Sequence, residues 1–131
     1  MIFMGIDRNG LIQLVQRIYS ASPEYLWQDT PDACVFRHID NGKWFGIIMS
    51  VSGQKIGLEN RAAVDICNVK CDPMLLGSLL EKPSCFPAYH MNKKHWLTFL
   101  LDGSVSEEEV CFLLDMSYDL TAPKRKRKKC V

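Results

Sequence analysis

Two β-prone runs, residues 33–39 and 43–51, are separated only by Asp40-Asn41-Gly42. Asn and Gly enter the left-handed backbone region that a tight turn requires, whereas the β-branched and aromatic residues on either side favour extended chain. The segment is therefore expected to fold as a β-hairpin. A second pattern of the same kind follows: residues 88–91, a turn at Asn92-Lys93-Lys94, then residues 95–101. On that last run Trp96, Thr98 and Leu100 point one way and His95, Leu97, Phe99 and Leu101 the other. Residues 63–69 also alternate and read as a further strand. Hairpin connections at both ends predict a mostly antiparallel sheet.

Helices supply the covering layer. Asp7 is placed to cap a helix whose Leu11, Leu14, Val15 and Ile18 recur at helical spacing. Asp72-Pro73 pairs an N-cap acid with proline at the first helical position, and Leu75, Leu76, Leu79 and Leu80 follow before Pro83 ends the helix. Ser106 and Glu109 form a capping box, Glu107 and Glu108 suit a first turn, and Val110, Leu113 and Leu114 face inward until the pattern fades near Thr121. Between Pro23 and Pro31, Tyr25 and Trp27 are expected to fold back over an edge of the core. The predicted order is α-β-β-β-α-β-β-α. It gives an α+β two-layer sandwich, a five-stranded sheet with helices on one face.

The 131 residues suffice for one domain, expected over residues 1–121, with a basic, disordered tail over 122–131. No run approaches the roughly 20 apolar residues of a membrane helix. Residues 1–10 lack a basic segment followed by a long apolar one, so no secretory signal is read and a cytoplasmic location is expected. In that setting the six cysteines are expected to be free core thiols rather than disulfides. Cys67 and Cys71 have no second pair at metal-ligand spacing, so no metal site and no cofactor is expected.

Charge is unevenly placed. Six of the 16 basic residues are consecutive, Lys124–Lys129, which leaves 10 against 15 acidic ones, a net of −5 for the rest of the chain. Broad attraction to a polyanion therefore resides mainly in the tail, through Lys124, Arg125, Lys126 and Arg127 and the two lysines after them.

The run Pro87-Ala88-Tyr89-His90-Met91-Asn92-Lys93-Lys94-His95-Trp96 resembles the signature of the MmcQ/YjbR family. The similarity extends to Val35-Phe36-Arg37-His38, Gly42-Lys43-Trp44-Phe45, Asn68-Val69-Lys70-Cys71-Asp72-Pro73, Leu101-Asp102-Gly103-Ser104 and Asp115-Met116-Ser117-Tyr118-Asp119-Leu120. It covers about residues 7–121. The resemblance implies a bacterial source, the two-layer fold read above and a double-wing DNA-binding protein in which sheet hairpins touch the duplex.

Candidate residues follow from both readings. At the second turn Lys93 and Lys94 suit phosphates, Asn92 a base edge or sugar, and Trp96 stacking. The alternative is a hairpin tip with solvated lysines, followed by a buried tryptophan. In the first hairpin, Arg37 and Lys43 would join them in one positive patch if both hairpins point the same way; otherwise they are scattered surface charge. A second class of function uses the helix-free sheet face, where Trp44, Tyr89, His90, His95 and Trp96 would line a groove for a protein partner or small ligand. No phosphate loop, nucleophile elbow or zinc-protease helix motif occurs, so no catalytic residue and no enzymatic activity is expected.

Overall fold

The computed structural model describes residues 5–123. The expected caps form: Asp7 accepts from the Gly10 amide, Asp72 from Met74 and Ser106 from Glu109. They open α1 (Arg8–Tyr19), α2 (Pro73–Leu80) and α3 (Glu107–Thr121), which alternate with β1 (Cys34–Arg37), β2 (Trp44–Ser52), β3 (Ala63–Lys70), β4 (Cys85–Pro87) and β5 (Trp96–Leu100). The element order is the expected one. The strands form one sheet, β1-β2-β3-β5-β4, with every neighbouring pair antiparallel.

One face of the sheet carries the main core. Leu11, Leu14 and Val15 of α1, Leu79 of α2, and Val110, Leu113 and Leu114 of α3 pack with Phe36, Phe45, Ile48, Cys67, Val69, Leu97 and Phe99 from the strands. Alternation places Ile66, Asn68, Thr98 and Leu100 on the opposite face. That face is not bare. A short 3-10 turn, Gly53–Ile56, folds Ile56 over it, and Val51, Ile56, Ile66 and Leu100 form a second, smaller core with Phe86 and Tyr89 packed alongside. The groove expected along the helix-free face is thus largely filled. Cys34, Cys67, Cys71 and Cys85 are buried free thiols, and burial pushes Cys71 and Cys85 up to about 11, so both stay protonated at neutral pH.

The fourth strand lies upstream of its expected position. Cys85, Phe86 and Pro87 pair with Phe99, Thr98 and Leu97, and residues 88–95 form an irregular loop instead of a strand and tight turn. Side chains from the sheet capture the backbone that a strand would have used. Thr98 Oγ1 accepts from the Tyr89 amide at 2.9 Å and donates to Asn68 Oδ1, while Asn68 Nδ2 donates to the Tyr89 carbonyl at 3.1 Å. His90 follows in the left-handed region, φ 60°, and turns the chain away from β5.

A bulge shapes the other hairpin. The β1–β2 register shifts between Phe36 and Arg37, pairing Phe36 with Gly46 but Arg37 with Trp44, so Phe45 is the extra residue. The β2–β3 ladder stops at Ile47 and Asn68. Continued by two residues it would set Phe45 opposite Lys70. The Ser117 hydroxyl of α3 stands between them: Oγ accepts from the Lys70 amide at 2.8 Å and donates to the Phe45 carbonyl at 2.6 Å. Ser117 is fully buried, so water cannot replace it.

Ser117→Ala is expected to lower unfolding free energy by about 1–3 kcal/mol, because a buried donor and acceptor lose their shared partner. Urea unfolding measures the loss, and hydrogen exchange should show the Lys70 amide losing protection. Iodoacetamide at about pH 8 is expected to leave Cys71 and Cys85 unmodified in the folded chain and to alkylate both in concentrated urea. Mass spectrometry reads the difference; rapid alkylation of the folded chain would contradict the burial argument.

Candidate functional site

Antiparallel pairing decides where the candidate residues meet. Arg37 ends β1, Trp44 begins β2, Lys70 ends β3, Trp96 begins β5 and Pro87 ends β4. The registers Arg37↔Trp44, Lys70↔Trp96 and Pro87↔Leu97 set all of these at one end of the sheet. Both connecting loops, residues 38–43 and 88–95, open from that end. The two hairpins therefore do point the same way.

The first loop is fastened to the C-terminus of α3. Gly42, at φ 72°, closes the turn and donates to the His38 carbonyl at 3.0 Å. Buried His38 donates from Nε2 to the Tyr118 carbonyl at 3.0 Å and lies 2.9 Å from Thr121 Oγ1. Asn41 Nδ2 donates to the Thr121 carbonyl at 2.9 Å. These donors meet carbonyls that the last turn of a helix leaves unpaired. His38 thus has a structural role, tying the hairpin to the helix.

In the second loop, Asn92 Oδ1 accepts from the Lys94 amide at 2.8 Å, and the Asn92 carbonyl accepts from the Trp96 amide at 2.9 Å. Asn92 shapes the turn. Lys93 Nζ reaches back to the Ala88 carbonyl at 2.9 Å, and Lys94 is exposed.

Between the loops lies a shallow depression of about 380 Å³, lined by Lys43, Trp44, Lys70 and Trp96 with Leu120 and Thr121 of α3. The Lys70 ammonium rests 5.4 Å from the centre of the Trp96 ring, a cation–π contact. Trp27 meets Trp44 edge-on, 5.8 Å between centres and 87° between planes. Tyr25 and Trp27 stay exposed rather than covering the core: Glu24 pairs with Val35 at the sheet edge and leads them past it.

The candidate residues therefore divide. Lys43, Trp44 and Trp96 come together. Arg37 lies beside them with its charge met by Glu24, Nε to Oε2 2.9 Å. Tyr89 belongs to the second core, and His90 and His95 are exposed on the loop outside the depression. The single groove expected for Trp44, Tyr89, His90, His95 and Trp96 does not form, because the Asn68–Thr98 pair holds Tyr89 over the middle of the sheet. Lys124, Arg125, Lys126 and Arg127 lie outside the described residues; Lys124 is three positions past Thr121 in the chain. Lys70 and Trp27 have no local signal that marks them as part of the site. Lys70 meets Trp96 only because β3 neighbours β5, a pairing that crosses α2 and β4 in the chain.

Charge is also sorted along the sheet. The loop end carries Lys43, Lys70, Lys93 and Lys94, together with Asp40, Asp72, Asp119 and the Arg37–Glu24 pair. The far end gathers Asp7 beside Asp102, Asp65 paired with Arg8, and Glu107, Glu108 and Glu109 in the first turn of α3, Glu107 and Glu109 meeting Arg17 and Lys82. Other clefts include one of about 440 Å³ between α2, β4 and α3, beside Cys85 and Phe112, and one of about 490 Å³ beside Tyr19, His38 and Tyr118. Among the described residues no group of three or more His, Cys, Asp or Glu is placed to hold a metal ion, and no helix is long and apolar enough to cross a membrane.

A five-stranded antiparallel sheet with three helices on one face and both hairpin loops at one end defines the class. The family model described as YjbR matches residues 17–120, and the chain belongs to that family. It is 35% identical over 116 residues to the uncharacterised protein YyaQ of Bacillus subtilis, covering 88% of this chain and 98% of that one. It is 38% identical over 78 residues to the uncharacterised protein YjbR of Escherichia coli K12, covering 56% and 64%. A crystal structure of a Pseudomonas syringae protein superposes with a TM-score of 0.87 at 41% identity, covering 89% of this chain and all of that one. A Deinococcus radiodurans protein shares the fold, with a TM-score of 0.67 at 24% identity over 92% of this chain and 81% of that one.

Thr98→Val is expected to free the Tyr89 backbone and loosen residues 88–95. Hydrogen exchange should show the Tyr89 amide losing protection while the β2–β3 ladder keeps its own, at a cost of about 1–3 kcal/mol in stability. Unchanged protection at Tyr89 would mean that the loop is held by other contacts.

Proposed function

We propose that this chain is a non-enzymatic nucleic-acid-binding protein, DNA being the expected ligand, which meets the polyanion with the loop end of its sheet and is helped by its basic tail. The observation that carries the reading is the convergence of two hairpin loops, four lysines and two tryptophans on one end, with the run Lys124–Lys129 starting three residues past Thr121. Phosphate neutralisation dominates non-specific affinity, so a net negative body is poorly suited to it unless charge is sorted. Here Asp7, Asp102 and Glu108 stand at the far end, beside the ion pairs of Asp65, Glu107 and Glu109 with Arg8, Arg17 and Lys82, and the four lysines of the loop end favour docking there. Arg37 contributes little to this field beside Glu24, and Asn92 serves the turn more than a base edge.

The non-enzymatic part of the reading is supported by the histidines. His38 is committed to the end of α3, and His90 and His95 lie on the exposed loop rather than in a cavity. The alternative, a small-ligand module, draws support from a different place than the sequence suggested: the cleft of about 440 Å³ beside Cys85 and Phe112, away from the tryptophans.

Fluorescence anisotropy with the full chain and a labelled mixed-sequence oligonucleotide, single-stranded or duplex, tests the proposal. Binding is expected at about 50 mM salt and should weaken steeply by about 200 mM. Lys43→Ala with Lys70→Ala, or Lys93→Ala with Lys94→Ala, should weaken it about tenfold and reduce the salt slope by roughly one for each phosphate that no longer meets a lysine. Changing Lys124–Lys129 to glutamine should weaken binding further without abolishing it. Absence of binding at low salt, or affinity indifferent to all four body lysines, would contradict the proposal.

A further inference from the structure

We propose that the depression between Trp44 and Trp96 receives one unpaired nucleobase, so that the ligand of the loop end is single-stranded nucleic acid in preference to duplex. This rests on the nucleic-acid reading above and names the class of ligand within it. The geometry follows from strand order. Trp44 stands on β2 and Trp96 on β5, with Lys70 on β3 between them. Neighbouring strands are about 4.8 Å apart, so the two tryptophan backbones are separated by roughly 10 Å. Both rings line one depression of about 380 Å³, at the small end of ligand sites and of a size for one base.

The side chains around the gap have the chemistry of a stacking platform. Trp27 packs against Trp44 with its plane nearly perpendicular, and Lys70 lies over Trp96, so both indoles have partners before a ligand arrives. Lys43 lies beside Trp44, and Lys70 rises from the strand between the two tryptophans, both in reach of the phosphates next to a stacked base. Lys70 has only to swing outward from the ring to meet one. The lining side chains hold no amide or carboxylate to read a base edge, so stacking is expected to tolerate any base. A paired base is inaccessible to such a site unless it is flipped out at a cost of a few kcal/mol, and this disfavours duplex.

The chain contains three tryptophans, Trp44 and Trp96 in the depression and Trp27 against Trp44, so intrinsic fluorescence reports on this end of the molecule. With the full chain, titration with an oligothymidylate of roughly 12 nucleotides should quench the fluorescence. Oligothymidylate should also bind at least tenfold more tightly than a duplex of equal length. Trp44→Leu and Trp96→Leu should each weaken single-strand binding by about 5- to 150-fold, the range for loss of one base stack. The quench in the unsubstituted chain keeps the test decisive if a variant fails to fold. An oligouridylate arm tells RNA from DNA, and tight, quenching binding of either supports the proposal. Equal affinity for duplex and single strand, or binding without quenching, overturns the stacking proposal while leaving nucleic-acid binding standing. No binding of any oligonucleotide overturns both.

Discussion

A single buried hydroxyl holds the loop end of this molecule together. Where the β2–β3 ladder gives out at the Phe45 bulge, the Lys70 amide and the Phe45 carbonyl would face each other in the interior without being paired. Ser117 bridges them, donating to one and accepting from the other. Buried backbone groups demand such partners, and here the partner comes from a helix. The result is that α3 is registered against the sheet at the level of Trp44 and Lys70. Four residues further on, Thr121 reaches the loop of the first hairpin, so the same helix sets both the floor of the tryptophan depression and the position of the first loop.

The second loop is held by the same kind of device from the other face. Asn68 and Thr98 sit side by side on β3 and β5 and bind both polar groups of Tyr89. Each loop is thus secured by side chains acting on backbone, rather than by continued strand pairing. That leaves the loop exteriors free to carry Lys43, Lys93 and Lys94. The charge sorting has a parallel origin: Glu107–Glu109 favour the N-terminus of α3, where the helix dipole stabilises acid, and that terminus lies at the end opposite the loops.

Much of the fold is legible in the sequence because its signals are local. Asp40-Asn41-Gly42 specifies a turn, Asp72-Pro73 and Ser106 start helices, and alternation sets the facing of Leu97 and Phe99. Residues 88–91 read as strand, wrongly, for an equally local reason: Ala88, Tyr89 and Met91 are strand-like in composition, while what overrides them, Asn68 and Thr98, comes from across the sheet. The depression is only half legible. Trp44 and Trp96 stand out as rings on strands, but joining them with Lys70 requires knowing that β3 lies between β2 and β5. The bulge at Phe45 has no sequence signature in a run as uniformly apolar as Trp44–Ile48.

The central claim, that nucleic acid meets the loop end of the sheet, is tested most directly by amide chemical-shift mapping of the full chain against an oligothymidylate at low salt. Shifts are expected to be confined to residues 38–44, Lys70, residues 88–96 and the end of α3, with the indole N–H signals of Trp44 and Trp96 among the largest. Shifts centred on Asp102 and Glu107–Glu109, or shifts that bypass both loops and the two indoles, would contradict it.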